Sequence, residues 1–535
     1  MYIIIVFLGN LVPGKLIQIK GVLVDTSEEA MVFEGFPSFF YEVKNPSLSA
    51  SEQALIDLLS TLMQGKKLED VSRLEQKNLL SPSFSKAFTD RVLNRFFFNV
   101  ENRPFLSFIE LNDLKNTVAK LLEEFFHPLP SAFFIATKVV DRVAGYGSIG
   151  PFLRDQNLEE IMVNGFNMPV FVFHRSYGMC KTNVSLGENE LDFIVQKISV
   201  DSQKNFGEKQ PFLDSRLSGG DRVNATFSSV TPFGSTLTIR KFTSTPLSIV
   251  DLIANKTVSS EVAAFLWVMV EGLNVKPMNM IVTGGSGSGK TTTLNVLCSF
   301  VRQNERIITI EDAIELDLGA RENWVRLETR PKILGFAEVS MDDLLRNALR
   351  MRPDRIILGE VRGVEAQTLF VAMDTGHEGS MGTLHSNNSK EAILRLVSAP
   401  MSVPESMLSL LELVIVQARM YVKGKGMLRR VMQISEVSSM DKKALVGNLF
   451  EWDRSMDQIR RTDVPSRIIE DLAEKTQMTK KEILREIAVR KKILEFLLER
   501  KIVSGPEVEA IIQKYYYDPE SVLELIVRET AEEEA

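Results

Sequence analysis

The chain has 535 residues, too many for one hydrophobic core, and the usual size of a folded unit divides it into two to four domains. Apolar residues make up 44% and charged residues 25%, which excludes a mostly disordered or collagen-like chain. The 63 basic and 70 acidic residues leave a net charge of −7, which argues against broad nonspecific binding to nucleic acid or anionic lipid, and two cysteines, Cys180 and Cys298, are too few for a disulfide scaffold or a four-cysteine zinc site and fit a reducing, cytoplasmic setting.

Met1 to Leu8 is strongly apolar, but it is far shorter than the ~20 residues a membrane span needs, and it lacks a basic flank and a small-residue cleavage site. It reads as a strand continued through residues 11–24, with further strands to about Phe40 and helices after that. Ser47-Leu-Ser-Ala-Ser-Glu-Gln has the form of a capped helix start, and Leu55, Leu58, Leu59 and Leu62 follow at helical spacing. Phe96–Phe98 and Phe125-Phe126 read as core rather than as a docking patch. No stretch is long enough to cross a bilayer, so any work at a membrane would be done from its side.

Short β-type runs begin after Gly145-Tyr-Gly-Ser-Ile-Gly: Glu160–Val163, Val170–Phe173, Arg222–Phe227 and Ser235–Ile239. Turn clusters separate them, among them Ser218-Gly219-Gly220-Asp221. From Asp251 to about Val437, strand-like runs alternate with amphipathic helical runs, as in a doubly wound parallel sheet. The remainder is charged and helical, with Leu484, Ile487, Leu494, Leu497 and Leu498 marking one face of a long helix before an acidic end. The expected division is 1–140, an extension mostly helical after residue 45; 141–242, a small α+β domain; 243–246, a linker; 247–440, a RecA-like P-loop NTPase domain; and 441–535, a helical C-terminal segment.

The reaction class comes from one contiguous motif. The apolar strand 279–283 runs into Gly284, Gly285, Ser286, Gly287, Ser288, Gly289, Lys290 and Thr291, and then into a helix beginning at Thr292. Glycines let successive backbone N–H groups turn inward around phosphate oxygens, and the helix adds its positive N-terminal end. Lys290 would reach the β/γ-phosphates and the Thr291 hydroxyl would ligate Mg²⁺.

A second strand, 306–310, delivers Glu311, Asp312 and then Glu315; a third, 355–358, delivers Gly359 and Glu360. Ligands of open α/β sheets bind at such C-terminal strand ends. One acidic residue there would hold the Mg²⁺ water shell, and another would orient or deprotonate the attacking water. Gly382-Thr383-Leu384-His385-Ser386 ends a further strand and offers His385 as a γ-phosphate sensor. Two other motifs mislead. Leu217-Ser-Gly-Gly220 mimics an ABC-transporter signature but precedes the P-loop, and reads as a hairpin turn. Asn255-Lys256-Thr257-Val258 lacks the Asp of a guanine-specific loop.

Together these segments resemble the type II/type IV secretion ATPase superfamily, and within it the archaeal branch that drives archaella and archaeal type IV pili. The resemblance rests on the P-loop, Thr309-Ile-Glu-Asp-Ala-Ile-Glu-Leu316, Leu349-Arg-Met-Arg-Pro-Asp354, Gly359-Glu-Val-Arg-Gly363 and the Thr-Leu-His-Ser box. Upstream, Glu160-Ile-Met-Val-Asn164 and Thr238-Ile-Arg-Lys-Phe242 are similar to the family's N-terminal domain, and Lys514-Tyr-Tyr-Tyr-Asp-Pro519 to the archaeal tail. It covers roughly residues 46–526 and does not extend to residues 1–40.

The resemblance implies ATP and Mg²⁺ as ligands. Glu311 would be the catalytic base, with Asp312 or Glu315 as substitutes, Glu360 the Walker B carboxylate and His385 the sensor. Arg222 and Arg240 would be arginines presented to the nucleotide. It further implies a homohexamer, cytoplasmic and peripheral to the inner face of the cell membrane. The ring would act on a polytopic platform protein and, through it, on filament subunits, with no nucleic acid expected. Ser386 stands where many relatives have Ala. The alternative is a RecA-like nucleic-acid translocase, which should show a basic, aromatic-lined stretch.

Overall fold

A computed structural model describes residues 19–27, 30–36, 38–44, 48–63, 82–97, 108–242, 246–330, 337–422, 426–440 and 443–534. The strand expected over 1–18, the linker residues 243–245 and Phe98 lie outside the described residues. The chain divides into two units, residues 1–243 and 244–535.

Among the described residues the first unit holds a nine-stranded sheet: β1 (Ile19–Thr26), β2 (Ala30–Phe36), β3 (Phe39–Val43), β4 (Leu158–Val163), β5 (Pro169–His174), β6 (Gly178–Ser185), β7 (Phe212–Arg216), β8 (Arg222–Thr226) and β9 (Thr236–Arg240). Their order is β1-β2-β3-β6-β5-β4-β9-β8-β7. The three early strands therefore extend the same sheet, through a parallel pairing of β3 with β6. Tyr41 anchors that join: its ring is fully buried against Phe152 and its hydroxyl donates to Asp155 at 2.5 Å.

The helix Glu188–Asp201 buries Leu191, Ile194, Val195 and Ile198 in the sheet's core. That helix, β6 and β7 had no clear signal in the sequence, because polar residues interrupt their apolar pattern. The turn between β7 and β8 is closed by the N–H of Leu217 bonding the carbonyl of Asp221, as the hairpin reading requires.

The helices Ala50–Met63, Pro82–Phe88, Phe108–Phe125 and Ala132–Val143, with a π-helical turn at Thr89–Phe97, share a separate core. Ser49 and Glu52 cap the first reciprocally, each bonding the other's backbone N–H, and Leu55, Leu58, Leu59 and Leu62 are buried. Phe125 and Phe126 meet the buried Phe84 ring edge-on at 5.4 and 5.3 Å, and Phe96 packs against the same core. These rings are half-buried and pack on the core.

The second unit is an α/β fold with a RecA-like P-loop core. Its nine strands are β10 (Met280–Gly284), β11 (Ile307–Glu311), β12 (Trp324–Glu328), β13 (Arg355–Val361), β14 (Met381–Leu384), β15 (Leu413–Val422), β16 (Gly426–Met440), β17 (Lys443–Asp453) and β18 (Gln458–Arg461), in the order β12-β11-β13-β14-β10-β15-β16-β17-β18. The pairings from β12 to β15 are parallel and those from β15 to β18 antiparallel. β10 is central and all five of its residues are buried, which explains its unbroken apolar character.

β17 and β18 extend the sheet past residue 440, where the sequence suggested helix, and the helical part begins at Arg467. Leu449, Phe450 and Ile459 of these strands are buried in the main core. In the long helix Lys480–Glu499 the buried stripe is Ile483, Ile487, Arg490, Leu494 and Leu497, whereas Leu484 is exposed. Ile487, Leu494 and Leu497 thus lie on the face the spacing predicts, while Arg490 is an unexpected core residue: it bonds Glu271 at 3.0 Å, and Glu271 also accepts from Arg302. Trp267 stacks on Phe300 beside them and donates to the Tyr516 hydroxyl at 2.6 Å. The tyrosine run thus pins the C-terminal helices to the core.

Candidate active site

Four neighbouring strands end at one edge of the second sheet. β11, β13, β14 and β10 lie side by side in parallel, so the segments leaving their C-terminal ends converge. From them come, in order, Glu311, Glu360, His385 and the glycine-rich loop.

The loop leads from β10 into the helix Lys290–Cys298, whose Leu294, Leu297 and Cys298 are buried as their spacing predicts. Gly287 and Gly289 have φ of 67° and 94°, the left-handed region that only glycine enters without strain. The Lys290 ammonium donates to the carbonyl of Gly285 at 3.1 Å. Ser286 and Thr292 are exposed and Thr291 is half-buried. The Ser288 hydroxyl is buried with no hydrogen-bond partner among the described residues. Below the loop, Thr293 donates to the Gln417 side chain of β15 at 2.7 Å.

Glu311 is only 2% exposed, deeper than an acid at a strand end suggests from sequence. Its Oε2 accepts the backbone N–H groups of Glu315 and Leu316 at 2.8 and 2.9 Å, and its Oε1 is buried without a partner among the described residues. Burial pushes its pKa up to about 7, against the lowering effect of those two N–H groups. Gly359 lies against it: a Cβ there would come within 2.9 Å of the Glu311 Cγ, so this approach needs a glycine before Glu360. Asp312 and Glu315 are exposed.

Glu360 accepts a hydrogen bond from Arg362, whose guanidinium also stands 3.8 Å from Asp312. Thr383 donates to the Gly359 carbonyl at 2.6 Å, tying β14 to the Glu360 segment. His385 is exposed at the end of β14. The residue after it, Ser386, is buried; its hydroxyl lies 2.6 Å from that of Thr283 and its N–H donates to the same oxygen at 3.0 Å. The serine therefore fastens the His385 segment to the strand that carries the glycine-rich loop. His377 instead lies with Nδ1 3.2 Å from the Ala372 carbonyl at a helix end, a structural contact.

Arg222 and Arg240 lie in the other unit, directly opposite each other on β8 and β9. Both are exposed, and each has a surface carboxylate nearby: Asp214 at 3.1 Å from Arg222 and Glu160 at 4.0 Å from Arg240.

Phosphate and Mg²⁺ fit these residues. The loop presents backbone N–H groups and Lys290, Ser288 holds an unused buried hydroxyl, and Glu311 an unused carboxylate oxygen. Among the described residues no three His, Cys, Asp or Glu side chains gather into a metal site. Mg²⁺ commonly takes oxygens from a phosphorylated substrate and water beside one or two from the protein.

A family model described as type II/IV secretion system protein matches residues 159–488. The chain belongs to this family. Among relatives of this secretion-family chain, one protein of Methanocaldococcus jannaschii is 46% identical over 289 residues, 51% of this chain and 40% of that protein. A second from the same organism is 35% identical over 387 residues, 70% of this chain and 68% of that protein. The type IV secretion system protein VirB11 of Bartonella henselae is 31% identical over 278 residues, 46% of this chain and 76% of its own length. The chain thus aligns with less than half of the first relative. The matched family segment contains β4 to β18, so the added strands β1–β3 and the helices around residues 50–143 lie outside it.

Sequence reasoning missed three side chains at this edge of the secretion-family core. Arg362 lies within Gly359-Glu-Val-Arg-Gly363, where its residue type alone gives it no role. Arg419 and Arg429 follow the loop by more than a hundred residues and carry no local signal.

Proposed function

We propose that this chain is a Mg²⁺-dependent ATPase that works as a homohexameric ring. Hydrolysis would be coupled to assembly or movement of a type IV pilus-like filament, archaellum or pilus, or to type II/IV secretion. The observation that carries this reading is the alignment of the glycine-rich loop, His385, Glu360 and Glu311 on four adjacent parallel strand ends.

In this reading Gly284 to Thr292 cradle the phosphates, and Lys290 and Thr291 serve the β/γ-phosphates and the metal. Glu360 and Thr291 hold the Mg²⁺ shell. The metal, when bound, neutralises charge that develops on the phosphate oxygens. Glu311 takes the proton of the attacking water, for which a pKa near 7 is well matched. His385 senses the γ-phosphate, held in place through Ser386 and Thr283. Arg222 and Arg240 supply transition-state charge from the N-terminal domain, within a chain or from a neighbour.

The partners are a polytopic membrane platform protein and, through it, filament subunits. The setting is cytoplasmic and peripheral to the inner membrane face, in the archaeal branch of the family. No helix among the described residues is long and apolar enough to cross a membrane, which is consistent with a peripheral role.

Sedimentation combined with ATPase assays tests the ring and the arginines. Activity per chain rises with concentration as hexamers form, and mixing Lys290→Ala with Arg240→Ala chains restores activity if the arginine acts in trans. A fully active monomer, insensitive to Arg222→Ala and Arg240→Ala, contradicts both. An inactive Arg240→Ala that mixing does not rescue assigns the arginine to its own chain.

A further inference from the structure

The glycine-rich loop is flanked on its other side by two arginines with no assigned role. β15 runs parallel to β10 on the side away from β14, and β16 returns antiparallel to it. In that hairpin Arg419 and Arg429 are directly opposite partners, so their side chains share one face. That face adjoins the loop. A Cβ on Gly287 would lie 2.5 Å from the Arg419 Nη1, and a Cβ on Gly289 would lie 3.5 Å from the Arg429 Cδ. The Arg429 Nε donates to the Gly287 carbonyl at 3.1 Å.

Two guanidinium groups held against a phosphate-cradling loop stand within reach of the oxygens of an anion bound there. The position of this pair defines which part of the anion it meets. Glu311, Glu360 and His385 all stand on the β14 side of the loop, so the reacting γ-phosphate must turn that way. The nucleoside end of the same molecule then projects to the opposite side, over β15 and β16.

We infer that Arg419 and Arg429 are nucleotide-binding residues of the same chain, gripping the α-phosphate end of a nucleoside di- or triphosphate. The inference rests on the nucleotide reading of the loop given above. Guanidinium groups suit the task, since their planar fork bonds phosphate oxygens two at a time. Contacts at the α-phosphate do not change as the γ-phosphoryl group leaves, so this grip is uniform binding: it lowers KM and leaves kcat alone.

The test measures ATP and ADP affinity of the full chain by calorimetry, with steady-state ATPase kinetics, for wild type, Arg419→Ala, Arg429→Ala, both together, and the Arg419→Lys/Arg429→Lys pair. The double alanine variant is expected to bind ATP and ADP more weakly by the same factor, roughly 10-fold or more, with KM raised alike and kcat within about threefold. The lysine pair recovers part of the loss. Unchanged affinity in the double alanine variant overturns the inference, and so does a loss confined to ATP, which would move the arginines to the γ-phosphate. If the alanine changes lower the melting temperature without nucleotide, Arg419→Gln and Arg429→Gln, which keep side-chain bulk, must show the same equal loss. A wild-type chain that binds neither nucleotide refutes the functional reading itself, an outcome distinct from wild-type binding with unaffected variants.

Discussion

The carboxylate of Glu311 accepts the backbone N–H of Leu316 at 2.9 Å, which fixes the acid at the end of β11 with one oxygen committed and the other, Oε1, buried and unused. A buried acid held this way is oriented without being neutralised. It keeps a free oxygen for a water molecule, and its raised pKa makes it a usable base near neutral pH.

The pH dependence follows with a definite sign. The Glu311 pKa rises from 4.5 to about 7 on folding, so between those values the native state holds a proton that the unfolded chain has released. Stability without nucleotide therefore falls as pH rises from about 4.5 to about 7, by on the order of 3 kcal/mol for this group, and no further above it. Glu311→Gln removes this part of the slope. As a base, Glu311 must be deprotonated, so kcat/KM rises with pH through about 7. Urea titrations and rate profiles across pH 4–9 check both, and a Glu311→Gln protein with the wild-type profile would contradict the assignment.

Glu360→Gln should still bind ATP while turning over at least ~100-fold more slowly, the scale of losing a preorganised catalytic group. Binding and single-turnover measurements on the same preparation check this. Equal turnover would transfer the role to Asp312, which shares Arg362 with Glu360.

Glu271 neutralises two arginines inside the second unit, and its side chain and that of Arg490 are 1% and 3% exposed. Glu271→Gln leaves Arg302 short of a counter-charge and Arg490 with Glu486 alone, and should cost roughly 3 kcal/mol, a fall in melting temperature of several degrees. Calorimetry that finds wild-type melting would show that the buried charges relax or find water.

The glycine-rich loop was legible in the sequence because phosphate binding there needs a contiguous run of residues between a strand and a helix. Glu311, Glu360 and His385 were legible as strand-end residues, since a parallel sheet sends such ends to one edge. The depth of Glu311 was not, because its burial comes from the approach of Gly359 on the neighbouring strand. Arg419 and Arg429 were invisible for the same reason: only the pairing of β10, β15 and β16 carries them to the loop. On the long helix Ile487, Leu494 and Leu497 were legible as buried, whereas Arg490 was not, as it is apolar in placement and charged in composition, and its partner Glu271 lies over two hundred residues away. Ser386 looked like a minor departure until its hydrogen bond to Thr283 gave it a place.

The central claim is tested most directly by Mg²⁺-dependent phosphate release from ATP by the purified full chain, measured beside Lys290→Ala. In this reading Lys290 would supply the charge that offsets the β/γ-phosphates, and no other lysine stands in the loop. The account predicts turnover in the wild-type chain that needs Mg²⁺ and is abolished in Lys290→Ala. Near wild-type turnover in the variant, or none in the wild-type chain at any protein concentration, would contradict it.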